Sequence, residues 1–168
     1  MDVAELLLEL YGRVAPLARE VLEGLDPALL TEPPRRGGNT IAWLVWHTAR
    51  VQDHHVSELL GSDQIWVGGD WARGCGLDPD PSNTGYGHSP DQVVAIRPER
   101  AGLLLEYLDA VDQRTREMLA SLTAPDLDRV VDRRWDPPVT LGVRLVSIAD
   151  DSLQHLGQAA YARGLLAG

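Results

Sequence analysis

In the stretch "DDSLQHLGQAAYARG", residues 150–164, Asp151 and His155 stand four residues apart. Residues at that spacing lie above one another on a single face of an α-helix, so the pair can hold one cation between them. Val146, Ile148, Ala149, Leu153, Leu156, Ala159 and Ala160 make the segment apolar on more than one side, which puts the pair partly inside a core. A buried carboxylate is costly unless paired or bound to metal. A second imidazole, His47, stands in the equally apolar "NTIAWLVWHTARVQDHH". Two ligands from one helix and one from a facing helix give an N,N,O set with positions left open, as in metal centres built inside helical bundles. Zn2+ is the natural occupant, with Ni2+, Fe2+ and Mn2+ as alternatives. The plainer use stays open: an inward histidine is often a hydrogen-bonded core residue, and Asp-x3-His is a weak signal.

Four segments of helical periodicity must position these groups. Residues 2–24 carry apolar side chains at three-and-four spacing, with Pro16 set to bend or split the run. Asn39 is placed to cap a second helix that reaches Leu60, where Gly61 stops it. The Gly- and Pro-rich link that follows is too irregular for a long element, and Trp66, Trp71 and Tyr86 suggest a lid that packs down. Ser89 and Pro90 open a short helix, and Pro98 a third long one. Residues 127–139 look extended, and a fourth helix runs from Thr140 toward Leu166. Such segments bury their faces against one another, which predicts an all-α four-helix bundle, a single domain over 1–168, with the long loop between helices two and three.

Composition narrows the partners. The 168 residues carry a formal charge of −10, which repels phosphate backbones and anionic lipid, so neither nucleic acid nor a membrane is expected. No apolar run approaches a membrane span and the N-terminus is acidic, pointing to the cytoplasm. The lone Cys75 excludes an intrachain disulfide and has no base near it in sequence.

Helix two and "DDSLQHLGQAAYARGLL" resemble the DinB-like superfamily of four-helix metalloproteins, and "TGYGHSP" and "RWDPPVTLGVRLVSI" are similar to its mycothiol-dependent branch. The resemblance implies a divalent metal held by His47, Asp151 and His155, with Asp151 where a histidine is commoner, a departure expected of mycothiol S-transferases. It further implies that a small thiol, mycothiol or a similar one, is bound as thiolate and added to an electrophilic small molecule. A maleylpyruvate-type isomerase, or a metal-binding stress-associated bundle without turnover, are the alternatives. A homodimer is possible on the same grounds.

Around this set, Arg50 and His54 follow His47 by three and seven residues, and Arg144 precedes Asp151 by seven. Each could bind a polar group of the thiol cosubstrate, or serve only in surface contacts and ion pairs. Gln158 is placed to orient a ligand. His88 lies in the long loop, His55 reads as surface, and Trp43, Trp46 and Trp135 as core or pocket lining.

Overall fold

The computed structural model describes residues 1–168. Local capping chemistry sets most helix ends. Asp2 and Glu5 exchange side-chain-to-backbone bonds in a capping box that opens α1 (Val3–Tyr11). The run expected to bend or split at Pro16 breaks earlier, at Gly12, whose N–H bonds back to Leu8 and Leu10, and α2 (Val14–Leu22) starts afresh. Pro16 is the third residue of α2, where its missing N–H would have had no intrahelical partner, so the proline sits in the new helix without bending it. A single turn, α3 (Pro27–Leu30), precedes α4 (Ile41–Leu60). Thr40 caps α4 rather than Asn39, its hydroxyl accepting from the Trp43 N–H at 3.1 Å, and Gly61 ends it at φ 63°.

The link after α4 holds the short helices α5 (Trp71–Gly74) and α6 (Pro90–Val94), the latter opened by Ser89 and Pro90 as expected. α7 (Ala101–Leu119) begins at Ala101 and not at Pro98, with Arg100 extended before it. The extended residues after it form a small antiparallel pair, β1 (Val130–Asp132) with β2 (Val139–Thr140). Thr140 then caps α8 (Leu141–Ala167).

Cross-helix contacts give the topology of the four-helix bundle. Tyr11 donates to the Leu145 carbonyl at 2.7 Å and Arg163 to that of Val21 at 2.9 Å, so α1–α2 runs in the direction of α8. Arg50 meets Tyr107 and Ser57 meets Arg114, so α4 and α7 run together. His47 faces His155 while His55 faces Arg144, which makes α4 and α8 antiparallel. Residues 61–100 are therefore the long crossover that two parallel neighbours require. A large core of Trp46, Trp66, Tyr107, Leu108 and Leu156 fills the middle, and a smaller one of Leu7, Tyr11, Leu141 and Leu145 closes the other end. No helix is long and apolar enough to cross a membrane.

The crossover is tied down by a buried charge. Asp53, on α4, is 1% exposed; its carboxylate accepts from the backbone N–H of Ile65 (3.0 Å) and Trp66 (2.8 Å) and from the Tyr107 hydroxyl (2.7 Å). Arg50, one turn earlier and wholly buried, spends its Nε on the Asn83 carbonyl (3.0 Å), Nη1 on Tyr107 (3.2 Å), and Nη2 on Gln64 (2.9 Å) and the Pro81 carbonyl (3.2 Å). Its guanidinium also lies over the Trp66 ring at 4.9 Å. Of the three aromatics expected to pack the crossover down, Trp66 is fully buried and Trp71 lies against Tyr107, but Tyr86 is 94% exposed.

Removing one member of a buried pair leaves an uncompensated charge. Asp53→Ala is accordingly expected to destabilise the protein by about 3–5 kcal/mol, measured as a fall in the urea midpoint; an unchanged midpoint would contradict this role.

Candidate metal centre

α4 and α8 cross so that His47 meets Asp151 and His155. The His47 ring is buried and stacked on Trp43, centroids 4.5 Å apart and planes within 12°. Its Nδ1 lies 2.5 Å from the Thr84 carbonyl oxygen. A carbonyl only accepts, so Nδ1 carries the proton and Nε2 presents a lone pair. His155 is held in the same sense, Nδ1 donating to Oε1 of Gln158 at 3.2 Å. Both Nε2 atoms turn toward Asp151 Oδ1, 3.9 Å from His47 and 3.4 Å from His155. One ligand atom from each of the three residues lies within 4.8 Å of the others.

The donor set fits a divalent cation. Asp151 Oδ2 is buried with no hydrogen-bond partner, and such an acceptor costs about 1–3 kcal/mol if it stays unsatisfied. Two Nε2 lone pairs beside it, each fixed by a bond from the opposite ring nitrogen, are the arrangement that metal-binding histidines adopt. Burial is the main force holding His47 below its ordinary pKa, outweighing the Thr84 carbonyl and Asp151. Burial also presses on His155, but the hydrogen bond and charge of Asp151, with Gln158, raise it above the usual value. Protons therefore compete for the same lone pair that a cation would use.

A lid from the crossover completes the surroundings of His47. Trp43 Nε1–H donates to His88 Nδ1 at 3.1 Å, and His88 Nε2–H donates to Asn83 Oδ1 at 2.8 Å. His88 also stacks on Trp46, at 5.8 Å. Between Asn83 and His88 the chain passes so close to α4 that a Cβ on Gly85 would lie 2.7 Å from His47 Nδ1 and 2.9 Å from the Trp46 ring. Gly85 also has φ +95°, a region that L side chains rarely adopt.

The three residues singled out to bind a cosubstrate lie elsewhere. Arg50 is buried with its donors engaged by the crossover, so it offers none to a small molecule. Arg144 bonds Asp132 at 2.9 Å and faces the His55 ring at 3.3 Å, two turns, or about 10 Å, along α8 from Asp151. His54 contacts Gln64 at 3.1 Å and, with His55 and Glu58, forms a second titratable cluster near the far end of α4. His55, read as surface, is half-buried: burial, with Arg144 adding to it, pushes it down to about 4. Cys75 is buried, its thiol pushed up to about 12 by burial and then by Glu99. Trp43 and Trp46 are buried as expected, whereas Trp135 is 65% exposed. Thr84 and Gly85 escaped the sequence reading; the glycines of "TGYG" were their only signal.

Comparison with known proteins agrees with this architecture. The model of the DinB superfamily matches residues 11–159. The chain belongs to the DinB superfamily. The crystal structure of a conserved protein from Enterococcus faecalis is similar to this DinB chain at 34% identity and a TM-score of 0.89, covering 98% of the chain and 97% of that protein. No curated protein matches it. Within the DinB framework, a crossover carbonyl fixes the tautomer of the His47 donor.

Two outcomes are expected. Gly85→Ala forces the lid away from His47, and backbone strain of this kind costs about 1–3 kcal/mol; thermal unfolding should show the loss. His47 and His55 are held neutral in the fold with pKa values below the unfolded 6.5, so their contribution is complete above 6.5 and declines as pH falls, through about 4 for His55. Urea midpoints of metal-free protein should drop across that window, and less steeply in His55→Gln. An equal slope in the variant would refute the assignment to His55.

Proposed function

We propose that this DinB-superfamily chain is a metal-dependent thiol S-transferase of the mycothiol-using kind, acting in the cytoplasm on small electrophiles. The observation that carries the reading is the convergence of the His47 and His155 Nε2 atoms on Asp151, whose second oxygen is buried and unpaired. These residues would hold the ion, with zinc the best match to two imidazoles and one carboxylate. A cation there supplies a position at which a thiol, whose free pKa is about 8.5, is deprotonated at neutral pH.

The rest of the chain supports that division of labour. Cys75, with its pKa near 12, provides no thiolate, so the sulfur nucleophile comes from a cosubstrate. Thr84 and Gln158 keep both ring Nδ1 atoms protonated and both Nε2 atoms available. Asp151 remains 31% exposed beside the nearly buried His47, so the set has one side open to a ligand. Trp43, packed on both imidazoles, covers the other side.

Elemental analysis of the purified protein should find about one divalent ion per chain. Purified mycothiol should be consumed with chlorodinitrobenzene to give a stable adduct, and His155→Ala should abolish both metal retention and consumption. Gln158→Leu, which frees the His155 ring, should weaken metal binding about 10–100-fold. Consumption undiminished in His155→Ala would refute the transferase reading; thiol recovered unchanged alongside a rearranged substrate would convert it to an isomerase.

A further inference from the structure

Tyr86 is the aromatic beside the metal centre that has no partner. It is 94% exposed and makes no hydrogen bond or ring stack. An apolar ring left in water adds nothing to stability, because its burial is what would contribute. Two glycines nevertheless fix its place. The backbone of Gly85 packs on His47, where a Cβ would lie 2.7 Å from Nδ1. Gly87, at φ +73°, stands third in a turn closed by the His88 N–H, which donates to the Gly85 carbonyl at 3.1 Å. Glycine at that position is what a type II turn requires.

Both ends of the turn are anchored to the helix that carries His47. On one side the Thr84 carbonyl takes the His47 Nδ1–H. On the other, the His88 ring stacks on Trp46, accepts from Trp43 and donates to Asn83. Tyr86, second in the turn, is therefore presented by a rigid backbone. Counting bond lengths from the Gly85 contact, its Cα lies within about 8 Å of the His47 ring. The segment is also uncharged: residues 81–90 hold no Asp, Glu, Lys or Arg, although the chain has 25 acidic and 15 basic residues.

We infer that Tyr86 is the binding contact for the electrophile, and that this electrophile is a flat, uncharged aromatic molecule stacked on the phenol ring with its reacting carbon toward the sulfur at the His47–Asp151–His155 set. The inference rests on the S-transferase reading and names the class of its second substrate. A tyrosine on a stiff turn offers a large contact area with few torsions to freeze. A charged electrophile would find no opposite charge on this segment, whereas a neutral ring needs none.

Chlorodinitrobenzene and iodoacetamide separate the two classes of electrophile. With either, the thiolate sulfur forms a bond to carbon and halide leaves with its electron pair, but only the first has a ring to stack. Tyr86→Ala should lower kcat/KM for chlorodinitrobenzene about tenfold, as the loss of one aromatic pair allows. It should leave kcat/KM for iodoacetamide and KM for mycothiol unchanged, and Tyr86→Phe should keep all wild-type values. A second readout needs no turnover: 1,3-dinitrobenzene, the same ring without a leaving group, should bind about tenfold more weakly to Tyr86→Ala in equilibrium dialysis. Metal content and circular dichroism should match wild type in both variants, since the side chain is exposed. Equal chlorodinitrobenzene kinetics in wild type and Tyr86→Ala overturn the inference and leave the S-transferase reading intact, as does a loss shared with iodoacetamide or a raised KM for mycothiol. No consumption of mycothiol by wild type with either electrophile overturns that reading, and this one with it.

Discussion

Asp53 is the buried charge on which the geometry of the metal centre depends. It lies nearly two turns along α4 from His47, yet its hydrogen bonds to Ile65, Trp66 and Tyr107 fasten the start of the crossover to two helices. Arg50, beside it, carries the attachment forward to the carbonyls of Pro81 and Asn83. The next residue is Thr84, whose carbonyl fixes the His47 tautomer. A chain of bonds therefore runs from an ion pair in the core to the ring that offers a lone pair to the cation. The desolvation cost of burying Asp53 and Arg50 is offset because nearly all their hydrogen-bonding capacity is used.

The crossing of α4 and α8 supplies the other half. Antiparallel helices bring the first half of one against the middle of the other, so one imidazole from α4 meets an i, i+4 pair from α8. The same crossing, two turns away, brings His55 against Arg144, with which Asp132 from the hairpin pairs. The two ends of this interface thus differ in chemistry. One presents free lone pairs and an unpaired carboxylate oxygen; the other is an ion-paired cluster with a cation already in it. Arg144 repels a metal ion from His55, although His54, His55 and Glu58 are close enough to hold one.

How far the sequence was legible follows from the range of the interactions. Helix ends depend on residues within one turn, so the Ser89–Pro90 start and the Gly61 stop could be read directly, and the Asp151–His155 pair follows from helical period alone. The break at Gly12 was missed because the apolar period continues unbroken across it. Arg50 was legible as sharing a helix face with His47, at the site mouth or on the surface, but not as buried and engaged by the backbone of Pro81 and Asn83 more than thirty residues on. Thr84 acts through its carbonyl, a group every residue has, so no side-chain pattern could have marked it. His55 looked like surface because its cover, Arg144, comes from another helix.

The presence of Asp at 151 has a consequence for what the centre can accept. Both imidazoles are neutral when their Nε2 lone pairs are in use, so the three donors together contribute a single negative charge. A divalent cation among them leaves one positive charge in a largely buried pocket, and an unbalanced buried charge is costly. One thiolate cancels that charge, whereas a third histidine in place of Asp151 would leave one unit over after the same ligand. The aspartate thus favours a single anionic partner.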